Sequence, residues 1–164
     1  MQVYDIVAEL PTHPIRKYRR RALRDIKRIV IHHSATDTGT PEAFARYHVQ
    51  SQGWPGIAYH YVCMRDGTVY KTQEASVMSY HAAGANKDGL GVCMVGDFDR
   101  YDPPLVQLRA CMELCIALCD AYSIPVENVI GHREVPGTMK SCPGKRIDMH
   151  DFRALLRERM EAEG

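Results

Sequence analysis

Two histidines and a cysteine, widely separated in the sequence, could bind one metal ion. His32 and His33 follow one short apolar run, His132 follows a second, and Cys142 comes ten residues after His132. Zinc accepts imidazole nitrogen and thiolate sulfur, and a catalytic zinc takes three protein ligands and leaves a fourth position to water or substrate. The residue types fit that count, although their spacing matches no strong local motif and a lone histidine after a strand is more often structural. The pattern leaves open whether His32 or His33 is the ligand.

Short strands interspersed with helices are expected to position these residues. Residues 29–31 are a β-branched run typical of a strand covered on both faces, and residues 129–130 form a similar run. A hairpin is expected from residues 58–64 and 68–70, and a further strand from residues 90–95. Helices are expected from the N-cap Thr40 to about residue 51, over residues 105–122 as a central buried helix, and over residues 148–160. This order predicts an α/β fold, a single domain with a central mixed β-sheet flanked by helices.

The sequence before the first of these strands has a different character. Residues 1–25 contain two prolines and six basic residues between positions 16 and 24. We expect an N-terminal extension there, with at most a short helix near residues 17–25. Residues 26–164 are expected to form one single globular domain, because no linker or repeat divides them. The basic run is typical of a solvated arm or helix face, and contact with a phosphate-rich polymer is the alternative.

Composition excludes several classes of protein. The 164 residues are 45% hydrophobic and 25% charged, and the net charge of +1 provides no overall field to attract nucleic acid or a membrane. We expect neither a membrane span nor a secretion signal, hence synthesis in the cytoplasm and free thiols for the six cysteines. Cys111, Cys115 and Cys119 recur every four residues beside apolar positions. This periodicity predicts that they pack in a core rather than bind metal.

Five motifs, between residue 29 and about residue 148, follow one another in the order found in a known enzyme family. They are IVIHHSAT (29–36), AYHY with RDGTV (58–61 and 65–69), YHA (80–82), GVCMVG (91–96), and GHREVPG with KSCPG (131–137 and 140–144). On these motifs the chain resembles the N-acetylmuramoyl-L-alanine amidase and peptidoglycan recognition protein superfamily. Within it, the chain is most similar to the lysozyme-like phage amidases, which are endolysins.

The resemblance implies a zinc hydrolase and identifies its metal ligands. By position it makes His32, His132 and Cys142 the ligands of one catalytic Zn²⁺, and it selects His32 over His33. The reaction it implies is hydrolysis of the amide bond between the lactyl group of N-acetylmuramic acid and L-alanine in peptidoglycan. Zinc in such a site lowers the pKa of bound water toward ~7 and polarises the amide carbonyl.

The resemblance also implies roles for side chains that do not bind metal. Tyr59 and Lys140 match the two non-ligand catalytic positions of the phage enzymes; the alternatives are a core tyrosine and a solvated surface lysine. His81 lies in a glycine-rich loop, and we expect it at the rim of the cleft in contact with substrate. His33 and His60 are expected to be structural.

Two features depart from the family pattern. The ten-residue interval between the second and third ligands is longer than is usual when the third ligand is a thiolate, and we expect residues 136–139 to loop out without moving the ligands. Cytosolic relatives use a glutamate where this chain has Cys93. The cysteine favours the mechanism that uses Tyr59 and Lys140.

Two other classes of function stay open on the sequence. One is a peptidoglycan-binding module without catalysis, and the other is a regulator that binds a protein partner through residues 1–25. We expect a monomer that binds peptidoglycan or muropeptides, without nucleic-acid or membrane partners. An endolysin that acts on the cell wall after release and an enzyme that recycles internalised muropeptides fit the sequence equally well.

Overall fold

The computed structural model describes residues 1–163, in which six strands form one mixed sheet. In chain order the strands are β1 (Val3–Asp5), β2 (Arg19–Arg20), β3 (Arg28–His33), β4 (Tyr61–Cys63), β5 (Val69–Lys71), β6 (Val77–Met78), β7 (Gly89–Met94) and β8 (Val129–Gly131). The helices are α1 (Pro41–Arg46), α2 (Leu105–Tyr122) and α3 (Met149–Glu163). The sheet has the order β1-β5-β4-β7-β3-β8, in which only β4 and β5 are antiparallel neighbours. This architecture confirms the predicted fold class.

Strand β3 lies inside the sheet and ends at its carboxyl edge with His32 and His33. It runs parallel to β7 on one side and β8 on the other, and Ile29 to Ile31 are fully buried. In register, Ile31 pairs with Gly131 and His32 pairs with Cys93. Because parallel strands end at the same edge of a sheet, the residues that follow β8 emerge beside those that end β3.

Helix α2 covers one face of the sheet together with α3. Its bounds match the prediction, and its three cysteines are buried free thiols, as predicted. However, the side chains of Leu105 and Val106 are 66% and 53% exposed. Arg109, Glu113 and Asp120, further along the same helix, are exposed as well. The prediction of a central buried helix was therefore wrong, because α2 buries one side and leaves the other exposed. None of the helices within residues 1–163 combines the length and apolar composition needed to cross a membrane.

Helix α1 begins where the sequence predicts and continues as a π-helical turn, Tyr47–Ser51. Oγ1 of Thr40 accepts a hydrogen bond from the backbone N–H of Ala43 at 3.1 Å, which caps the helix as expected. The segment ends at Gly53, whose φ of 71° lies in the left-handed region that favours glycine. The following strand, β4, starts later than predicted. The N–H of Ala58 donates to Nδ1 of His48 (3.0 Å) instead of a strand partner.

The first 25 residues contribute two short strands. β1 pairs in parallel with β5 at the edge of the main sheet, and β2 pairs with β6 in a separate two-stranded sheet. Because the backbone of β2 is paired in this way, the short helix expected near residues 17–25 is reduced to one 3₁₀ turn, Leu23–Asp25. Arg21 is buried behind β2, and its guanidinium donates to the carbonyls of Ala75 (2.9 Å) and Gly89 (3.0 Å).

Candidate metal centre

Three side chains that can ligate a metal converge at the carboxyl edge of the sheet. They are the three predicted from the sequence: His32 on β3, His132 directly after β8, and Cys142 in the loop that follows. One ligand atom from each lies within 4.8 Å of the others, and Nδ1 of His32 is 3.8 Å from Sγ of Cys142. Two imidazoles and a thiol are the donors that a catalytic zinc prefers. The donor set therefore fits a zinc ion.

Gly131 and Arg133 hold the loop that carries Cys142 against the end of β8. A Cβ atom on Gly131 would lie 2.8 Å from Cδ of Pro143, so any larger residue would displace this loop. The N–H of Arg133 donates to the carbonyl of Cys142 at 2.7 Å, and its guanidinium donates to the carbonyl of Gly144 at 2.8 Å. These contacts fix the third ligand across the long interval after His132.

Burial favours the neutral forms of all three ligands when no metal is bound. It lowers the pKa of His32 well below the ordinary value, and the neighbouring imidazoles lower it further. Burial and the charge of Lys140 lower the pKa of His132. Burial raises the pKa of Cys142 to about 11, against the opposing effect of the His33 N–H, which donates to Sγ at 3.4 Å. The imidazoles can thus bind metal without losing a proton, whereas the thiol must release one.

His33 and His60 make structural hydrogen bonds, in agreement with the sequence analysis. Nδ1 of His33 accepts from the N–H of Phe98 at 3.1 Å, and Nδ1 of His60 accepts from the N–H of Gly91 at 3.0 Å. The adjacent His32 is the histidine of the pair that joins the metal-ligating cluster.

His81 is buried beside the ligands and is only 6% exposed. Its Nδ1 lies 3.1 Å from Nε2 of His32, and its Nε2 lies 3.2 Å from the carbonyl oxygen of Gly89. The sequence predicted a substrate contact for His81 at the cleft rim. His81 does line the cleft, and its substrate contact stays a prediction. Both of its ring nitrogens also lie within hydrogen-bond distance of protein groups, one of them on His32.

Tyr59 and Lys140 line the same cleft as the three ligands, a cavity of about 510 Å³. The ring centroids of Tyr59 and His32 are 5.5 Å apart. Burial raises the pKa of the Tyr59 hydroxyl well above its ordinary value, so the hydroxyl stays protonated and can donate a hydrogen bond. Lys140 is exposed at the mouth of the cleft. A phenol and an ammonium group therefore share one cleft with the candidate zinc ligands.

The cleft also contains aromatic residues that sequence reasoning missed. Trp54 and Tyr80 line one side with ring centroids 5.9 Å apart, and Tyr18 from the N-terminal segment packs edge-on against Tyr80 at 4.8 Å. Trp54 is the one tryptophan of the chain and stands among turn residues, in Gly53-Trp54-Pro55-Gly56. A large aromatic residue in such a loop is a usable signal for a binding surface. Tyr80 belongs to the motif of residues 80–82, which assigned it no role, and Tyr18 lies in no motif.

The sequence is similar to amidases and to peptidoglycan recognition proteins. The family model for N-acetylmuramoyl-L-alanine amidase matches residues 22–145. The endolysin of Escherichia phage T7 is 32% identical over 124 residues, 70% of this chain and 78% of that protein. The endolysin of Klebsiella phage KP32 is 31% identical over 129 residues, 73% of this chain and 82% of that protein. Peptidoglycan-recognition protein LB of Drosophila melanogaster is 30% identical over 73% of this chain, which spans only 55% of that relative's length.

Solved structures share the fold over nearly the whole chain. The amidase LysC from Clostridium intestinale has a TM-score of 0.79 at 23% identity and covers 96% of this chain and 98% of its own. The endolysin of a Thermus scotoductus bacteriophage has a TM-score of 0.78 at 28% identity, covering 93% and 97%. Peptidoglycan recognition protein LE, solved with tracheal cytotoxin, a monomeric diaminopimelic acid-type peptidoglycan, has a TM-score of 0.79 at 22% identity, covering 93% and 92%.

Proposed function

Because the chain belongs to the N-acetylmuramoyl-L-alanine amidase family, we propose that it is a zinc-dependent enzyme that hydrolyses the amide bond between the lactyl group of N-acetylmuramic acid and L-alanine in peptidoglycan. The observation that carries this proposal is the approach of three ligand atoms, from His32, His132 and Cys142, to within 4.8 Å of one another beside an open cleft. A zinc ion held by these residues supplies a Lewis acid and lowers the pKa of bound water.

Lys140 and Tyr59 are the proposed hydrogen-bond donors to the reacting amide. Negative charge develops on the carbonyl oxygen during hydrolysis, and a preorganised donor aimed at that oxygen contributes on the order of 10²–10³ in rate. Lys140 provides a cation two residues from Cys142, and the protonated Tyr59 hydroxyl provides a neutral donor. The buried Cys93 pairs with His32 in register and offers no carboxylate, which supports this mechanism over one based on glutamate.

The cleft around the ligands continues into a second cavity. A second cavity of about 650 Å³ shares Trp54, Tyr80 and Lys140 with the first, and residues 136–139 border it. Met139, in this bordering segment, is 97% exposed. Aromatic rings offer broad apolar faces together with polar edges, and such surfaces suit sugar rings and peptide stems. We propose that the glycan and its stem peptide lie along these two cavities.

The test is release of peptide from purified peptidoglycan, measured as new L-alanine amino termini. The expected result is that a chelator abolishes release and that added zinc restores it. Cys142→Ala should abolish both zinc binding and release. Cys119→Ala is the matched control, because it removes another buried thiol, on α2 and outside the cleft, and should leave both unchanged.

Two results would change the proposal. Release that persists without metal would overturn the zinc mechanism. Sedimentation with peptidoglycan sacculi without any release would identify a binding module instead of an enzyme. Comparison of intact sacculi with soluble muropeptides as substrates would then separate an endolysin from a muropeptide-recycling enzyme. A protein partner for residues 1–25 is tested by pull-down with the intact chain.

A further inference from the structure

His81 connects the candidate metal centre to the backbone of β7. We propose that His81 is a positioning residue: it accepts a hydrogen bond from Nε2 of His32 and thereby leaves Nδ1 of His32 as the metal-binding nitrogen. This inference rests on the proposed zinc site, which it deepens by assigning the residue that selects the ligand atom.

The direction of these two hydrogen bonds follows from the Gly89 carbonyl, the last group of the series. The carbonyl oxygen of Gly89 can only accept, so Nε2 of His81, 3.2 Å away, carries a proton. In a neutral imidazole the other nitrogen is then an acceptor, and Nδ1 of His81 lies 3.1 Å from Nε2 of His32. Nε2 of His32 must therefore donate, which leaves a lone pair on its Nδ1. That atom is the one 3.8 Å from Sγ of Cys142.

Gly89, Gly91 and Arg21 keep the ring of His81 in this position. A Cβ atom on Gly91 would lie 2.8 Å from Cγ of His81, and one on Gly89 would lie 3.2 Å from its Cε1. The two glycines of β7 thus leave the room that the imidazole occupies. Arg21 donates to the same Gly89 carbonyl at 3.0 Å and to the carbonyl of Lys87 at 3.1 Å, which fixes the direction of that carbonyl. A carbonyl oxygen has two lone pairs, so both donors can be satisfied.

The expected consequence is on metal affinity. A metal-binding imidazole is oriented and made more basic by the partner of its other nitrogen, and loss of such a partner typically weakens metal binding about 10–100-fold. Without an acceptor at His81, the proton of His32 distributes over both of its nitrogens. Zinc binding must then displace the proton from Nδ1 and hold a less constrained ring.

The experiment compares zinc affinity, by competition with a chromophoric chelator, in the intact chain and in the variants His81→Asn and His81→Leu. Asparagine can place its Oδ1 near the position of the lost Nδ1 and accept from His32, whereas leucine cannot. We expect His81→Leu to lose about 10–100-fold in zinc affinity and His81→Asn to lose clearly less. A packing role predicts the opposite order, because a buried position tolerates leucine better than an amide without its full set of partners. That opposite order, or equal affinities in all three proteins, overturns the inference.

A second measurement uses the wild-type chain and so does not depend on a variant that folds. Long-range ¹H–¹⁵N correlation of the histidine rings in the metal-free protein reports which nitrogen carries the proton. We expect protonated Nε2 and unprotonated Nδ1 on both His32 and His81. A protonated Nδ1 on His32 overturns the proposed relay.

Failure of this inference and failure of the proposed function are distinguishable. If the wild-type chain neither binds zinc nor releases peptide, the proposed function fails, and the ring spectra still decide the direction of the hydrogen bonds. If the wild-type chain is active and His81→Leu binds zinc as tightly, only the role of His81 is wrong.

Discussion

His48 should make the stability of the fold depend on pH, although no sequence pattern assigns it a role. Its ring is buried between Trp54 and Tyr59, at centroid distances of 5.0 Å and 5.5 Å, and its Nδ1 accepts the N–H of Ala58. Burial lowers the pKa of His48 from the model-peptide value of 6.5 to about 4. His48 therefore binds a proton less readily in the folded chain than in the unfolded chain.

The sign and magnitude follow from that difference. Above pH 6.5 the ring is neutral in both states, so the stabilising contribution is fully present there and is lost as the pH falls toward 4. Each unit of pKa difference corresponds to about 1.4 kcal/mol, and the loss between pH 7 and pH 4.5 amounts to about 2 kcal/mol of the free energy of unfolding.

The assay is urea unfolding at pH 7 and at pH 4.5, for the wild-type chain and for His48→Asn. A chelator is present, so that proton competition at the metal ligands does not contribute. Asparagine can still accept from the N–H of Ala58 but does not titrate. The variant should be the less stable protein at pH 7, and its deficit should shrink by about 2 kcal/mol at pH 4.5. A deficit for His48→Asn that is the same at both pH values would refute the reasoning.

Three further predictions concern the site and its supports. Lys140→Ala and Tyr59→Phe should each lower peptide release about 10²-fold while zinc stays bound; metal analysis of the purified variants checks this, and loss of zinc would reassign the residue to metal binding. Gly131→Ala would place a Cβ 2.8 Å from the neighbouring proline ring, which should cost about 1–3 kcal/mol in urea unfolding and weaken zinc binding in the chelator competition. Arg153→Leu removes hydrogen bonds of 2.7 Å and 3.0 Å to the Glu134 carboxylate and should cost about 2 kcal/mol at pH 7. Burial alone would raise the pKa of Glu134, but the hydrogen bonds from Arg153 lower it. Arg153 also donates to the carbonyl of Val129, which does not titrate, so the cost should shrink but not vanish as the pH falls through the folded pKa of Glu134; a cost unchanged in acid would contradict this.

Local patterns determined most of the elements. The β-branched run before His32, the Thr40–Pro41 cap and the bounds of α2 follow from short-range propensity and capping, which need no knowledge of distant contacts. The identity of the three candidate ligands came from a resemblance spread over five motifs. Periodicity and spacing alone did not separate His32 from His33, because the strand that bears them is buried on both faces.

Only the tertiary structure brought residues 110 positions apart, His32 and Cys142, to within 3.8 Å. That approach depends on the contact of Gly131 with Pro143 and on hydrogen bonds from Arg133, none of which a local pattern encodes. The same holds for the contact of His81 with His32: the loop position of His81 suggested a place at the cleft, but only the structure shows that two glycines on β7 leave room for its ring beside His32. Hydrophobic periodicity predicts which face of a helix or strand is buried. Hydrogen bonds between residues far apart in the sequence depend on how those buried faces pack against one another, which periodicity does not predict.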